Sequence, residues 1–221
     1  RESRDCSFGV CSPDGEMPFQ GASNHLYTYR QAAQRLLAKV PREELHEGDI
    51  YIGNDPYEIG TAHTPDTVVL SPVISKGVLV ALCGSIAHKM DFGGAVPGSI
   101  YSGATEVLQE GFILPLVKYY HRGEIVPQVE EIIRANVRNP DLVLGDLGAQ
   151  VGATVVGVQR VKALAVRYGP ETLLGVFEEL LELPEKRISA VVSHWPGRTA
   201  EAEAVLDPPP NHDSPVRLHL R

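Results

Sequence analysis

The chain has 221 residues, 43% of them hydrophobic, and a net charge of −8. That composition supports one large core and excludes a disordered chain. The acids are scattered and no basic stripe is present, which excludes the usual nucleic-acid binder.

The N-terminal run RESRDCSFGV has no signal-peptide core and no apolar run reads as transmembrane, so a cytoplasmic protein with no membrane part is expected. Cys6, Cys11 and Cys83 form no CxxC pair and are expected to be reduced packing residues. The chain opens on Arg1 without methionine and closes on VRLHLR (216–221), an alternating run like a strand just begun. An internal piece of a longer chain is the expectation.

Residues 26–39 have helical composition and period, with Ser23 or Asn24 as the cap. DIYIG (49–53) reads as a short strand closed by NDP. TVVLSPVI and VLVALCGSIAH flank a turn at Ser75-Lys76-Gly77, which predicts an antiparallel hairpin. A Gly-rich loop follows, FGGAVPGS at 92–99. ILPLVKYY (113–120) and EIV (124–126) flank a turn at Arg122-Gly123. From Pro127 the period becomes helical, with Val129, Ile132, Ile133 and Val137 on one face, until Asn139-Pro140. Residues 141–168 read as a long helix carrying Gly145, Gly148, Gly152 and Gly157, each costing about 1 kcal/mol relative to Ala. Either Gly148 and Gly152 admit a neighbouring backbone, or the helix is broken in two. Gly169-Pro170 starts another helix, with Leu173, Leu174, Phe177, Leu180 and Leu181 inward. A further short segment begins near 185, RTAEAEAVLD reads as a strand, and DPPPNHDSP (207–215) as a loop. The expected fold is α+β, a mixed sheet with an antiparallel hairpin and several packed helices, part of a larger subunit. Residues 1–195 form the core portion, and 196–221 open a following β-rich segment.

The chemistry-bearing residues lie at the open end of the hairpin. GTAHTPD (60–66) holds His63 and Asp66, and SIAHKMDFGG (85–94) holds His88 and Asp91. If Ile74 pairs with Val78, His88 falls opposite Thr64; a shift of one residue places it opposite His63 or Pro65. In each register it lands between His63 and Asp66, within side-chain reach across a strand pair. Pro65 supplies the break that turns both side chains inward. Two imidazoles and one carboxylate with open positions suit Zn, Mn or Fe. Such a metal polarises a carbonyl or lowers the pKa of bound water. The alternative is a hydrogen-bonded His/Asp network with no metal. Asp55, Asp91 and His25 are candidates to orient the imidazoles.

Glu106 and Glu110 are candidate general bases if they reach the site, and otherwise surface acids. The backbone N–H groups of FGGAVPGS, at Gly93, Gly94, Gly98 and Ser99, form a candidate anion cradle or a plain tight loop. The GK[ST] of a P-loop is absent. Ser85 and Ser99 lack the context of a serine nucleophile. Lys89 is either an electrophilic helper or solvent-facing. His121, His194, His212 and His219 read as surface residues.

RESRDCS, GDIYIGNDPY, TAHTPD, SIAHKMDFGG, VPGS, ATEVLQEG, ANVRNPDLVLGDLGAQVGA and RYG occur in this order in the hydantoinase B/oxoprolinase family, which the chain resembles over nearly its whole length. Family chains are more than twice as long. The resemblance implies ATP-coupled chemistry on a carbonyl or cyclic amide. A hydantoinase A-like partner binds ATP and phosphorylates the carbonyl oxygen of a small-molecule substrate, in a hetero-oligomer. The B-type chain then handles the activated species, by ring opening in the amidohydrolases or by carboxylation in the ketone carboxylases. In the carboxylase relatives a metal is held by an H-x-x-D pair and a later histidine, which match His63, Asp66 and His88. The family often reads THxPD where this chain has AHTPD, so Ala62 removes one hydroxyl near the site. The resemblance also lets FGGAVPGS hold the phosphate. A cyclic-amide hydrolase is the leading expectation, followed by a ketone carboxylase and by a non-catalytic assembly subunit or truncated remnant.

Overall fold

Runs rich in Val, Ile, Leu and Tyr become the strands of one sheet, and Gly- and Pro-containing turns end them. The structure, a computed structural model, describes residues 5–21, 25, 27–195, 197, 199–208 and 212–221. Seven strands form the main sheet: β1 (Cys6–Cys11), β2 (Phe19–Gly21), β3 (Ile50–Gly53), β4 (Asp66–Ser75), β5 (Val78–His88), β6 (Val117–His121) and β7 (Glu124–Ile125). Their spatial order is β2-β1-β5-β4-β3-β6-β7. The α+β class is the expected one, but the sheet is not mixed. Among the described residues every pairing in it is antiparallel.

Helices α1 (Thr28–Lys39) and α2 (Pro56–Ile59) lie on one face of the sheet, and α3 (Pro127–Asn136), α4 (Pro140–Tyr168) and α5 (Pro170–Val192) on the other. Strand alternation divides the core accordingly. Val68, Leu70, Leu82 and Ile86 pack with Tyr29, Ala32, Ala33 and Leu36 of α1. Val69 packs with Val143, Leu147 and Val151 of α4, and Cys83 with Val161 and Ala165. Beyond α5, β8 (Ala202–Leu206) and β9 (Val216–Leu220) pair as a separate exposed two-stranded sheet.

The central hairpin is one residue tighter than expected. Its turn is Lys76-Gly77, both at positive φ (51° and 78°), the backbone that a two-residue hairpin loop needs. Ser75, not Ile74, therefore pairs with Val78. A register irregularity between Val73 and Ile74 shifts the pairing once more, so His88 meets Asp66 and not Thr64.

The caps expected for α1, Ser23 and Asn24, lie outside the described residues. On α3, Val129 and Ile133 are buried but Ile132 is half exposed. Helix α4 is unbroken, with the Asn139 side chain accepting from Leu142 N–H at 3.2 Å. It is long and apolar enough, by length and composition, to cross a membrane, contrary to expectation. In this fold one of its faces lies on the sheet. Helix α5 continues through Pro184 to Val192 instead of ending near 183; Leu173 and Phe177 are buried while Leu180 is exposed. Its last turns touch little, so the short segment expected from 185 is simply more helix.

Gly148 and Gly152 admit no neighbouring backbone among the described residues: an added Cβ there meets nothing within 4 Å. The close approach is at Gly157, where a Cβ would stand 2.1 Å from Cζ of Phe8. Opposite effects of one methyl follow. Gly152→Ala is expected to stabilise the fold by up to about 1 kcal/mol through helix propensity. Gly157→Ala should destabilise it by roughly 1 kcal/mol or more, because Phe8 must leave its place. Urea unfolding of both variants measures the two signs; two stabilising substitutions would contradict this packing.

Candidate metal centre

Asp66 opens β4 and His88 closes β5, and the register sets them face to face. His63 reaches the same point from the turn before β4. Across Thr64-Pro65 the Asp66 N–H donates to the His63 carbonyl at 3.2 Å, which folds the imidazole back over the strand start.

Asn54, fully buried at the end of β3, holds that turn. Its Nδ2 donates to the carbonyls of Thr64 (2.6 Å) and Phe112 (2.8 Å), and its Oδ1 accepts from Leu114 N–H (2.6 Å). The Thr61 hydroxyl donates to the Asn54 carbonyl at 2.8 Å.

Asp66 Oδ1 lies 3.0 Å from His63 Nε2 and 3.0 Å from His88 Nδ1, and the two ring nitrogens are 3.1 Å apart. The Asp66 side chain is 4% exposed, against 24% and 18% for the two imidazoles. Ligand atoms about 3 Å apart suit one ion at roughly 2.1 Å from each. Protons satisfy such a triangle one pair at a time, whereas a cation draws on all three atoms together. The donor set therefore fits a divalent metal of the Zn, Mn or Fe kind.

Burial alone would raise the Asp66 pKa; the hydrogen bonds of His63 and His88 outweigh it and hold the carboxyl well below the usual carboxylate range. The bond to Asp66 raises the His63 pKa against burial, and the Glu110 carboxylate adds to the rise. His25 stands behind the carboxylate, with Nε2 3.7 Å from Asp66 Oδ2 and Nδ1 3.1 Å from Ser7 Oγ.

The other predicted residues lie elsewhere. Asp55 caps α2, accepting from Tyr57 N–H (2.9 Å) and Glu58 N–H (3.2 Å), and does not orient an imidazole. Asp91 accepts from Gly93 N–H (2.9 Å) and Gly98 N–H (3.0 Å) and pairs with Arg138 at 3.0 Å. Two donors of the proposed anion cradle are thus occupied by the chain's own carboxylate, and the loop from Gly93 and Gly94 to Ser99 is organised around the Arg138 ion pair. Arg138 also donates to the carbonyls of Gly93 and Gly94. Glu106 is exposed and lines a cleft of about 390 Å³ with Ala62, Tyr57, Thr105 and Glu110. Of the two acids, Glu110 is the one whose charge acts on His63.

Lys89 is not solvent-facing. It points to the α4 side of the sheet, is fully buried, and donates to the Ala87 carbonyl at 2.9 Å and to Gln150 Oε1. Burial lowers its pKa to about 8. The Gln150 amide also donates to the carbonyls of Thr67 (2.9 Å) and Ser85 (3.3 Å), bridging both hairpin strands just behind Asp66 and His88. Sequence reasoning missed Asn54 and Gln150. The available signal was a polar amide inside an apolar run, IYIGN and LGAQVGA.

The sequence pattern of the hydantoinase B/oxoprolinase family matches residues 1–221. The chain belongs to this family. Among family relatives, it is 32% identical over 180 residues to the putative B subunit of the D-/L-hydantoinase of Pseudomonas sp. (strain NS671), covering 81% of the chain and 30% of that protein. It is 31% identical over 175 residues to the beta subunit of the caprolactamase of Pseudomonas jessenii, covering 79% of the chain and 30% of that protein. The crystal structure of the ATP-dependent caprolactamase from Pseudomonas jessenii superposes with a TM-score of 0.85 at 27% identity, covering 99% of this chain and 38% of that one. Nucleotide-free acetone carboxylase gives 0.86 at 19% identity over 97% of this chain and 30% of that one, a likeness of fold. The chain spans about a third of the length of these relatives.

The raised His63 pKa predicts how metal affinity at this site would depend on pH. Below that pKa the ring holds a proton that an incoming ion must displace, while Asp66 stays ionised. Affinity for Zn or Mn should fall about tenfold per pH unit as the ring protonates. Calorimetric titration between about pH 8 and about pH 6 checks this, and a flat affinity would contradict it.

Proposed function

We propose that this chain is the metal-bearing portion of a B-type subunit in an ATP-dependent cyclic-amide hydrolase. The observation that carries the reading is the convergence of His63, Asp66 and His88 at one hairpin end in a chain of this family. The hydantoinase and caprolactamase relatives, at 32% and 31% identity, support cyclic amides as the substrate class. Both relatives are named as one subunit of a larger enzyme, which supports a hetero-oligomer. In this reading a hydantoinase A-like subunit binds ATP and phosphorylates the amide oxygen, creating a good leaving group and an electrophilic carbon. A cytoplasmic setting belongs to the same reading, supported by the three free thiols.

The divalent ion that His63, Asp66 and His88 would hold supplies Lewis acidity toward an oxygen. Asp66 keeps both imidazoles aimed at one point, and Asn54 fixes the turn that carries His63. Glu110, which lines the open cleft with Ala62 and whose charge acts on His63, takes a proton from water as it adds to the activated carbon. When the ring C–N bond breaks, Glu110 returns that proton to the nitrogen; the carbon keeps its phosphate as an acyl phosphate, which a second water hydrolyses to carboxylate and inorganic phosphate. Glu106 lines the same cleft. In this reading Asp55 and Asp91 hold local backbone, Asp55 at the start of α2 and Asp91 in the Gly93–Ser99 loop with Arg138.

The test uses the native-length subunit with its A-type partner. Wild type should contain near-stoichiometric Zn, Mn or Fe. His63→Ala and His88→Ala should lose the metal, with ATP-dependent ring opening down by more than about 100-fold. Unchanged turnover in both variants sinks the proposal, and substrate loss that requires bicarbonate would move the carboxylase reading ahead. Glu110→Gln should keep the metal and lose about 100-fold in turnover; full activity would remove Glu110 from the mechanism.

A further inference from the structure

A strand pair comes apart most easily at its open end, and two of the three ligands sit there: Asp66 is the first residue of β4 and His88 the last of β5. Strand β3 pairs with β4 only from Val68 onward, so Asp66 and Thr67 have β5 as their one strand neighbour among the described residues. The hold on this end comes from α4. Gln150 is 5% exposed, on the helix face that buries Leu147 and Val151. A buried primary amide has donors and an acceptor to satisfy. The Gln150 amide donates to the carbonyls of Thr67 (2.9 Å) and Ser85 (3.3 Å), and its oxygen accepts from the Lys89 ammonium. Lys89 also donates from Nζ to the Ala87 carbonyl at 2.9 Å, and its backbone N–H donates to the Pro65 carbonyl at 3.0 Å. Gln150 thus holds the residue after each of the two ligands, and Lys89 holds the residue before each.

We infer that Gln150 is a positioning residue for the metal centre, with Lys89 as its relay. This rests on the metal-centre reading above and adds to it two residues that do not touch the ion. Side chains alternate along a strand, so Gln150 and Lys89 work from the α4 side while the ligands face the α1 side. They reach the ligands only through the backbone that carries them. With the peptide groups on either side of Asp66 and His88 held, the two ligand atoms stand 3.0 Å apart before any ion arrives. Without the clamp the strand ends must be ordered during binding, and that cost is subtracted from the affinity. Gln150 borders a half-open cavity of about 550 Å³ between β1, β5 and α4. Methionine, similar in length and lacking the amide, is therefore accommodated in its place without overpacking.

The test uses the native-length subunit and two metal probes. Zn affinity is measured by competition with a chromophoric chelator, and the visible absorption of bound Co(II) reports the ligand geometry. Gln150→Met and Lys89→Met should each weaken Zn binding by about tenfold or more and alter the Co(II) absorption. Val151→Ala trims a buried side chain of α4 beside Gln150 and removes no side-chain hydrogen bond. It should leave both readouts as in wild type, which separates positioning from a general loosening of the helix. Unchanged affinity and absorption in either folded clamp variant, or an equal change in Val151→Ala, would overturn the inference and leave the metal centre standing. If one clamp variant fails to fold, the other decides. A folded wild type that takes up neither Zn nor Co(II) would remove the metal-centre reading and this inference with it.

Discussion

A buried carboxylate must be matched in charge and hydrogen bonding or it will not stay ionised, and Asp66 is the buried carboxylate on which this site depends. Removing a partner from such a group costs several kcal/mol, far more than a surface pair contributes. The match comes from two imidazoles on one oxygen and a third, His25, near the other. Each arrives by a different route: a turn, the adjacent strand, and the segment before α1. The site is thus a place where three pieces of chain must meet for the fold itself to be tolerable, and that requirement also fixes the ligand geometry.

The opposite side of the same hairpin end carries a second buried charge. Because strand side chains alternate, Lys89 faces α4 while His88 faces α1. Lys89 donates to Ala87 and Gln150, and the fields of Asp146 and Asp66 offset part of the cost of burying its charge. Gln150 can serve it only if α4 lies at one height along the strands. The buried lysine therefore locks helix to sheet, and the sheet in turn fixes the spacing of Asp66 and His88. A loop site would lack this stiffness.

The hairpin was legible because two β-rich runs flanked a Gly-containing turn, and His63, Asp66 and His88 followed from its register. The exact register was not legible. Lys76 in the left-handed region and the irregularity at Val73 each shift pairing by one residue, and neither has a sequence signature stronger than the apolar alternation around it. Strand β1 was missed because CSFGVC alternates weakly, although Gly9 is what lets Tyr29 lie on it, an added Cβ standing 2.8 Å from the ring. The roles given to Asp55 and Asp91 rested on nearness in sequence. Both side chains instead close local backbone N–H groups, the habit of an aspartate at a cap or a glycine turn.

The ligand triangle does not read the body of a substrate. It presents one charge at one point, and nothing in His63, Asp66 or His88 distinguishes a lactam ring from a ketone. Discrimination must come from the walls, and here the two walls differ in kind. The cleft lined by Ala62, the residue before His63, carries Glu106 and Glu110, acids suited to moving protons. The cavity between β1, β5 and α4 carries methyl groups and an aromatic ring. Because side chains alternate along β5, the triangle looks to the α1 side of the sheet while the apolar cavity opens on the α4 side, so the two strands of the hairpin stand between charge and hydrocarbon surface.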